Sequence, residues 1–198
     1  MTPSRTRARS KRVVRLGLAM AAALAMFGAS VGPGAMAQTL PAPTLTLGET
    51  QGPYYKPNSP EATDLVPSGM QGTLTTLTGQ VLDQNGQPVA NALLDFWQAN
   101  ASGTYDNTGY TLRGHQYTDA NGYYTLRTIQ PGLYPGRTEH IHVKVQAPNG
   151  PVLTTQLYFP GVAQNSRDSI YDPSLLLSVV TNADSTQSAT FNFVVATA

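Results

Sequence analysis

Two histidines separated by a single residue are the clearest candidates for chemistry in this sequence. They are His140 and His142, and the only other histidine is His115. If residues 139–145 form a strand, alternate side chains share a face, so both imidazoles project together while Ile141 faces the core. Two imidazoles held in this way form a rigid pair of metal ligands. By itself the pattern is equally typical of two surface or hydrogen-bonded histidines.

Any further ligands must come from oxygen donors, because the chain contains no cysteine. The same absence excludes a disulfide framework, a thiolate zinc site and an iron–sulfur cluster. Tyrosine is abundant, with 10 residues, and a trivalent iron would remove a phenolic proton whose pKa is about 10 in a free side chain. Most tyrosines fit half-buried strand positions, whereas Tyr105 and Tyr134 stand in loop-like contexts. The pattern alone does not distinguish these two from other loop tyrosines.

Short strands joined by turns must position these residues. The chain has 18 glycines, 15 prolines and only 12% charged residues, a composition that excludes a coiled coil and a highly charged disordered chain. Asn-Gly pairs at 85–86, 121–122 and 149–150 indicate tight turns. We therefore expect an all-β fold, an antiparallel sandwich with extended loops and a short helix near 163–170. The predicted strands lie within Thr73–Leu82, Val89–Ala99, Gly122–Thr128, Glu139–Gln146, Leu153–Phe159, Leu175–Val180 and Ala189–Val195.

The first 37 residues are typical of an export signal. Six basic residues precede an apolar run over residues 16–27, and small residues leading to Ala37 follow as a cleavage site. The run is shorter than the roughly 20 residues that a membrane span needs, although an uncleaved membrane anchor is the alternative. Residues 38–70 are rich in Pro, Thr and Ser and predict an extended arm before a sandwich domain at 71–198.

Removal of the signal would make the protein acidic. Residues 38–198 contain six Lys and Arg against eleven Asp and Glu, which is a formal net charge of −5, whereas the whole chain carries +1. This balance argues against nucleic acid or an anionic membrane surface as a partner.

Four segments, in the same order, resemble the intradiol ring-cleavage dioxygenase family. They are LDFWQANASGTYDN at 94–107, GYYTLRTIQPGLYP at 122–135, RTEHIH at 137–142 and TQLYFPG at 155–161. The resemblance extends from about Gly52 to Phe193 and is strongest to the iron-binding β subunit of protocatechuate 3,4-dioxygenase. It implies that the domain at 71–198 is a catalytic sandwich of the prealbumin (transthyretin-like) type.

The resemblance implies a non-haem Fe(III) cofactor held by two tyrosinates and two histidines. Matched motif by motif, Tyr134 would be the tyrosinate that leaves when substrate chelates the metal. The expected reaction inserts both atoms of O2 between the two hydroxylated carbons of a catechol-type aromatic and gives a cis,cis-muconate-type diacid. The implied ligands are Tyr105, Tyr134, His140 and His142.

The resemblance also implies roles around the metal. Arg137 would stabilise negative charge that develops on the substrate, and the alternative is a salt bridge to Glu139 or another acid. Gln156 would orient substrate or a ligand, and the alternative is an ordinary strand residue. The GPYY segment at 52–55 resembles an element near the pocket mouth and makes two residues candidates for substrate contact: Pro53 and Tyr54.

The chain departs from the family in two respects. Only five residues separate Tyr134 from His140, which predicts a more open site, and no helical dimerisation segment of the catechol 1,2-dioxygenase kind is predicted. His115 has no place in the implied ligand set and is expected in a loop near the site. The expected partners are a small aromatic diol and O2, with homo-oligomerisation left open.

A metal-free binding module is the main alternative. The segment GQVLDQNGQPVANA at 79–92 also resembles carboxypeptidase-regulatory-like and transthyretin-like sandwich modules. Fold alone does not separate a module of this kind from an enzyme. The joint presence of the implied ligands and Arg137 favours the enzyme.

Overall fold

Nine strands form two sheets in the computed structural model, which describes residues 42–198. The first sheet contains β1 (Leu74–Asp83), β4 (Tyr123–Ile129), β7 (Ser178–Thr181), β8 (Gln187–Thr190) and β9 (Phe193–Val195). The second contains β2 (Leu93–Gln98), β3 (Arg113–Tyr117), β5 (His140–Gln146) and β6 (Val152–Tyr158). The all-β prediction is confirmed, whereas the predicted export signal at 1–37 lies outside the described residues.

The second sheet is antiparallel throughout, in the order β3-β2-β5-β6. The first has the order β4-β1-β8-β7, and β8 and β9 follow one another along the same edge of β1 in parallel pairings. The two short strands are separated near Phe191, whose carbonyl lies close against Gly79 of β1. A Cβ at Gly79 would lie only 1.7 Å from that oxygen, so this approach requires glycine. The sandwich is therefore mainly, but not wholly, antiparallel.

Alternation along β5 separates the core from the candidate site. Ile141, Val143 and Val145 are fully buried in the core that both sheets contribute to. His140 and His142 project from the opposite face, as the alternation predicts. They are nevertheless buried as well. Residues 52–59 pack on this outer face, for example through Tyr55, whose ring lies edge-on to Trp97 at 4.9 Å between centroids.

The structure corrects several predicted element boundaries. His115 lies in strand β3 and not in a loop. The strand has no apolar alternation because glycine and glutamine, Gly114 and Gln116, take its core-facing positions. The predicted strand at 189–195 is divided into β8 and β9, and the strand at 175–180 is confined to β7.

Helix is as scarce as predicted. The helix predicted near 163–170 is a single 3-10 turn at Ala163–Ser166, and a second 3-10 helix covers Pro173–Leu175. Within residues 42–198 no helix is long and apolar enough to cross a membrane.

Candidate metal centre

The two histidines of β5 meet at their Nε2 atoms, which lie 3.1 Å apart. Nδ1 of His140 donates to the Thr138 carbonyl at 2.6 Å, an arrangement that leaves Nε2 unprotonated and free to bind a metal. The ring of His142 stacks on Trp97 of the neighbouring strand, with 4.8 Å between centroids and an interplanar angle of 3°. Backbone contact and aromatic packing therefore aim both imidazoles at one point.

Burial keeps both imidazoles in the form that binds metals. Desolvation lowers the pKa of His140 to about 4, and it lowers the pKa of His142 well below the usual value. Both rings are therefore neutral at pH 7, with a lone pair available for a cation. A metal entering this site would not have to compete with a positively charged imidazolium.

The depressed histidine pKa predicts how the stability of the metal-free protein depends on pH. Between the unfolded pKa of His140, 6.5, and the folded value of about 4, the unfolded state binds more protons, so the free energy of unfolding falls as the pH is lowered. His140 alone accounts for about 3 kcal/mol over that window. Urea denaturation of metal-free protein at pH 7.0, 5.5 and 4.5 measures the effect. In the variant His140→Gln the free energy of unfolding should depend less steeply on pH. An equal pH dependence in the variant and the wild type would contradict the prediction.

Close contacts between glycine-containing loops bring the two candidate tyrosines together. Gly103 has φ +76°, and a Cβ there would lie 2.0 Å from the Leu133 carbonyl oxygen. Gly132 approaches the other loop in the same way, because its Cβ would lie 2.2 Å from the Ala101 carbonyl oxygen. The N–H groups of Gly103 and Gly132 both donate to the Asn100 carbonyl, at 3.0 and 2.9 Å. Side chains larger than glycine would separate the loops that carry Tyr105 and Tyr134.

Tyr105 joins the histidines directly, and Tyr134 stands beside it. The Tyr105 hydroxyl lies 3.1 Å from Nε2 of His140. The Tyr134 ring is 5.9 Å from the Tyr105 ring, centroid to centroid. Tyr54 connects them, since it stacks on Tyr105 at 4.5 Å and its hydroxyl is 2.9 Å from that of Tyr134. The predicted ligands therefore occupy one cluster, with Tyr54 packed against both tyrosines.

Two of these phenols hold their protons in the absence of a cation. Burial raises the pKa of Tyr105 above its usual value. The hydrogen bond with Tyr134 is the main cause of a raised pKa at Tyr54. A strongly charged cation is therefore needed to convert Tyr105 into an anionic ligand.

Arg137 reaches from the loop before β5 to two side chains at the edge of the cluster. Its Nε donates to Asp168 at 2.9 Å and its Nη2 donates to Gln156 at 2.6 Å. Gln156 in turn donates to the Thr50 carbonyl at 3.0 Å and lies opposite His142 in the sheet. The acid that pairs with Arg137 is thus Asp168, while Glu139 accepts from Gln130 instead.

Asp168 carries the negative charge that holds the Arg137 guanidinium in place. Burial opposes its ionisation, but N–H donors from Thr138 and Ile170, together with Arg137, outweigh burial and hold its pKa below the usual value. The carboxylate is therefore charged at neutral pH and orients the guanidinium of Arg137.

The remaining candidates differ in their placement. Tyr54 belongs to the cluster, whereas Pro53 is exposed. His115 bonds through Nδ1 to the Ser59 carbonyl at 2.7 Å and is separate from the two β5 histidines. Sequence reasoning missed Asp168 and the stacking of Trp97. Trp97 could have been found, because alternation places it on the same face as His142 of a neighbouring strand.

The donor set fits a hard, highly charged metal ion. The Nε2 atoms of two neutral imidazoles meet the hydroxyl of Tyr105, and a second phenol, Tyr134, lies beside Tyr105. Among residues 42–198 no group of three histidine, cysteine, aspartate or glutamate side chains is suited to a metal. Tyrosine oxygens are therefore essential to a site here, and phenolate oxygens favour a ferric over a ferrous ion.

Comparison with known proteins places this chain in a family. A family model described as dioxygenase matches residues 50–197. Protocatechuate 3,4-dioxygenase beta chain of Burkholderia cepacia is 37% identical over 118 residues, 50% of each chain. Catechol 1,2-dioxygenase of Candida albicans is 30% identical over 152 residues, 61% of this chain and 49% of the relative. The chain thus spans about half the length of these curated relatives.

Solved structures agree with the sequence comparison. The dioxygenase domain of a dioxygenase carbohydrate-binding protein fusion from Streptomyces sp. SirexAA-E has a TM-score of 0.76 and 52% identity, covering 78% of this chain and 100% of that one. The 3-chlorocatechol 1,2-dioxygenase of Rhodococcus opacus 1CP has a TM-score of 0.72 and 31% identity, covering 77% and 73%. On the match over residues 50–197 and these likenesses, the chain belongs to the intradiol ring-cleavage dioxygenase family.

Proposed function

We propose that this chain is an exported, Fe(III)-dependent dioxygenase that cleaves a catechol-type aromatic between its two hydroxylated carbons. Both atoms of O2 would enter the product, a cis,cis-muconate-type diacid. The observation that carries the proposal is the meeting of the Tyr105 hydroxyl with Nε2 of His140 and His142, beside Tyr134, in a chain of this family.

The residues that would hold the ferric ion are the two β5 histidines and two tyrosines, Tyr105 and Tyr134. A bound ferric ion supplies Lewis acidity that makes a chelated catechol reactive toward O2. Two phenolate ligands offset its charge.

Tyr134 is suited to accept a proton from the substrate. Its hydroxyl lies at hydrogen-bond distance from the Tyr54 hydroxyl and its side chain is only half-buried. A catechol that binds a cation through both oxygens must lose two protons; the phenolate oxygen of Tyr134 would accept one, and hydroxide from solvent would accept the other. Tyr54 would hold the protonated Tyr134 by the same hydrogen bond.

Arg137 would stabilise the negative charge that develops on the ring. Its guanidinium is held by Asp168 and Gln156 before substrate binds, so no reorientation is needed during the reaction. Gln156, fixed by the Thr50 carbonyl, would orient the arginine.

The names of the relatives support the substrate class, and the N-terminal residues support the location. The relatives are named for protocatechuate, catechol and hydroxyquinol, which share adjacent hydroxyls on an aromatic ring. That shared feature supports a small aromatic diol here.

Export is supported by the basic, apolar and small-residue segments of residues 1–37.

The visible absorption spectrum tests the proposal. Ferric ion added to the purified protein should produce a broad tyrosinate-to-iron charge-transfer band, and catechol added without oxygen should move this band to longer wavelength. A protein that stays colourless after ferric reconstitution would contradict the proposal and favour the metal-free binding module. The control is zinc, which has no such transition and should give no colour.

A further inference from the structure

Arg113 is a fully buried arginine next to the candidate metal centre. It opens strand β3, and the register places it opposite Trp97, which itself lies opposite His142. Its side chain therefore projects from the same outer face as the histidine. Only 2% of the residue is exposed, which is rare for an arginine without an acidic partner.

The guanidinium of Arg113 binds the two segments that carry Tyr54 and Tyr105. Nη1 donates to the Tyr54 carbonyl at 2.5 Å, and Nε donates to the Asp106 carbonyl at 3.0 Å. The first acceptor belongs to the residue that stacks on Tyr105, and the second belongs to the residue that follows Tyr105. One rigid fork thus connects residues from two distant parts of the chain.

The charge of Arg113 has no carboxylate within ion-pair distance. Among the described residues only Arg127–Asp64 and Arg137–Asp168 are within 4.0 Å. Burial lowers the pKa of Arg113, and the Asp106 carboxylate, although beyond ion-pair distance, partly offsets this effect. That carboxylate accepts N–H groups of its own loop, at Thr108, Gly109 and Thr111. The guanidinium carbon lies 5.9 Å from the centroid of the Tyr105 ring. A buried cation is stabilised by a nearby anion, and a metal-bound Tyr105 would be such an anion.

We infer that Arg113 is a positioning residue that clamps the Tyr54 and Tyr105 segments together and places a buried positive charge beside the phenolate of Tyr105. This inference rests on the proposed function for its second half, because only a metal-bound Tyr105 is anionic. The clamp itself depends on main-chain carbonyls and exists without metal.

Three variants separate the clamp from the charge. Arg113→Met removes both, Arg113→Lys keeps the charge but not the fork, and Arg127→Met is the control, an arginine on the first sheet that is paired with Asp64. Hydrogen exchange is measured on the metal-free proteins and the charge-transfer band on the ferric proteins.

For Arg113→Met we expect exchange about tenfold faster in residues 52–56 and 103–108, with the β5–β6 hairpin unchanged. We also expect ferric affinity about 10- to 100-fold weaker. The band should move to longer wavelength, because loss of a nearby cation raises the energy of the phenolate electrons. Arg113→Lys should keep the band near its wild-type position but exchange faster in both segments. Arg127→Met should match the wild type in both readouts.

The inference is overturned if Arg113→Met has the hydrogen-exchange rates and the band position of the wild type. It is also overturned if exchange rises uniformly over the protein and the band does not move. If Arg113→Met does not fold, Arg113→Lys decides, since wild-type exchange in that variant shows that the fork is not needed. A wild-type protein with no ferric band contradicts the proposed function, whereas exchange in residues 52–56 and 103–108 still tests the clamp.

Discussion

Replacement of His140 by alanine is expected to abolish the ferric charge-transfer band and weaken ferric binding by more than about 100-fold. The imidazole is held by the Thr138 carbonyl and faces both His142 and Tyr105 at 3.1 Å, so its loss opens one side of the donor cluster. Activity should fall with the iron content. Metal analysis after dialysis and the visible spectrum of the reconstituted protein measure both effects.

His115→Ala is the matched control for this experiment. His115 lies opposite Asp95 in the strand register and bonds to the Ser59 carbonyl. It therefore takes no part in the cluster of Tyr105 and the β5 histidines. This variant should bind iron and show the wild-type band. If His140→Ala keeps full iron and full activity, the assignment of the metal ligands is wrong.

Removal of the Arg137 side chain should leave the iron in place but slow turnover. Arg137 donates to Gln156 and Asp168 and not to a predicted metal ligand. Loss of one donor aimed at developing negative charge typically costs about 100- to 1,000-fold in kcat. Arg137→Met should therefore show the ferric band with kcat reduced by that factor. Steady-state kinetics per bound iron measure the effect.

Stability has to be separated from catalysis in this experiment. Arg137→Met leaves the buried carboxylate of Asp168 without its partner, and breaking a buried pair is destabilising. The double variant Arg137→Met with Asp168→Asn removes the stranded charge and should recover most of the melting temperature but none of the rate. Arg127→Met, which breaks the exposed pair with Asp64, should leave kcat unchanged. Unchanged turnover per iron in Arg137→Met would remove the proposed role.

Local sequence patterns predicted the structure correctly where a feature depends on a single strand or turn. Alternation along β5 predicted that Ile141 faces the core and that both histidines share the opposite face, and the structure places them so. The Asn-Gly turns are also present, since Gly86 and Gly122 both have positive φ. Strand β3 was missed because its inward positions are Gly114 and Gln116, which carry no hydrophobic signal.

The sequence by itself determined the fold class, the pairing of the two histidines and, through four motifs, the family. Each of these depends on residues that are close in sequence or on an ordered set of short segments. Only the tertiary structure decided that Asp168, and not Glu139, holds Arg137, and that Tyr54 contacts both Tyr105 and Tyr134. These contacts join loops and an arm that are far apart in sequence. Their geometry follows from how the loops pack on the finished sheets, which no local periodicity encodes.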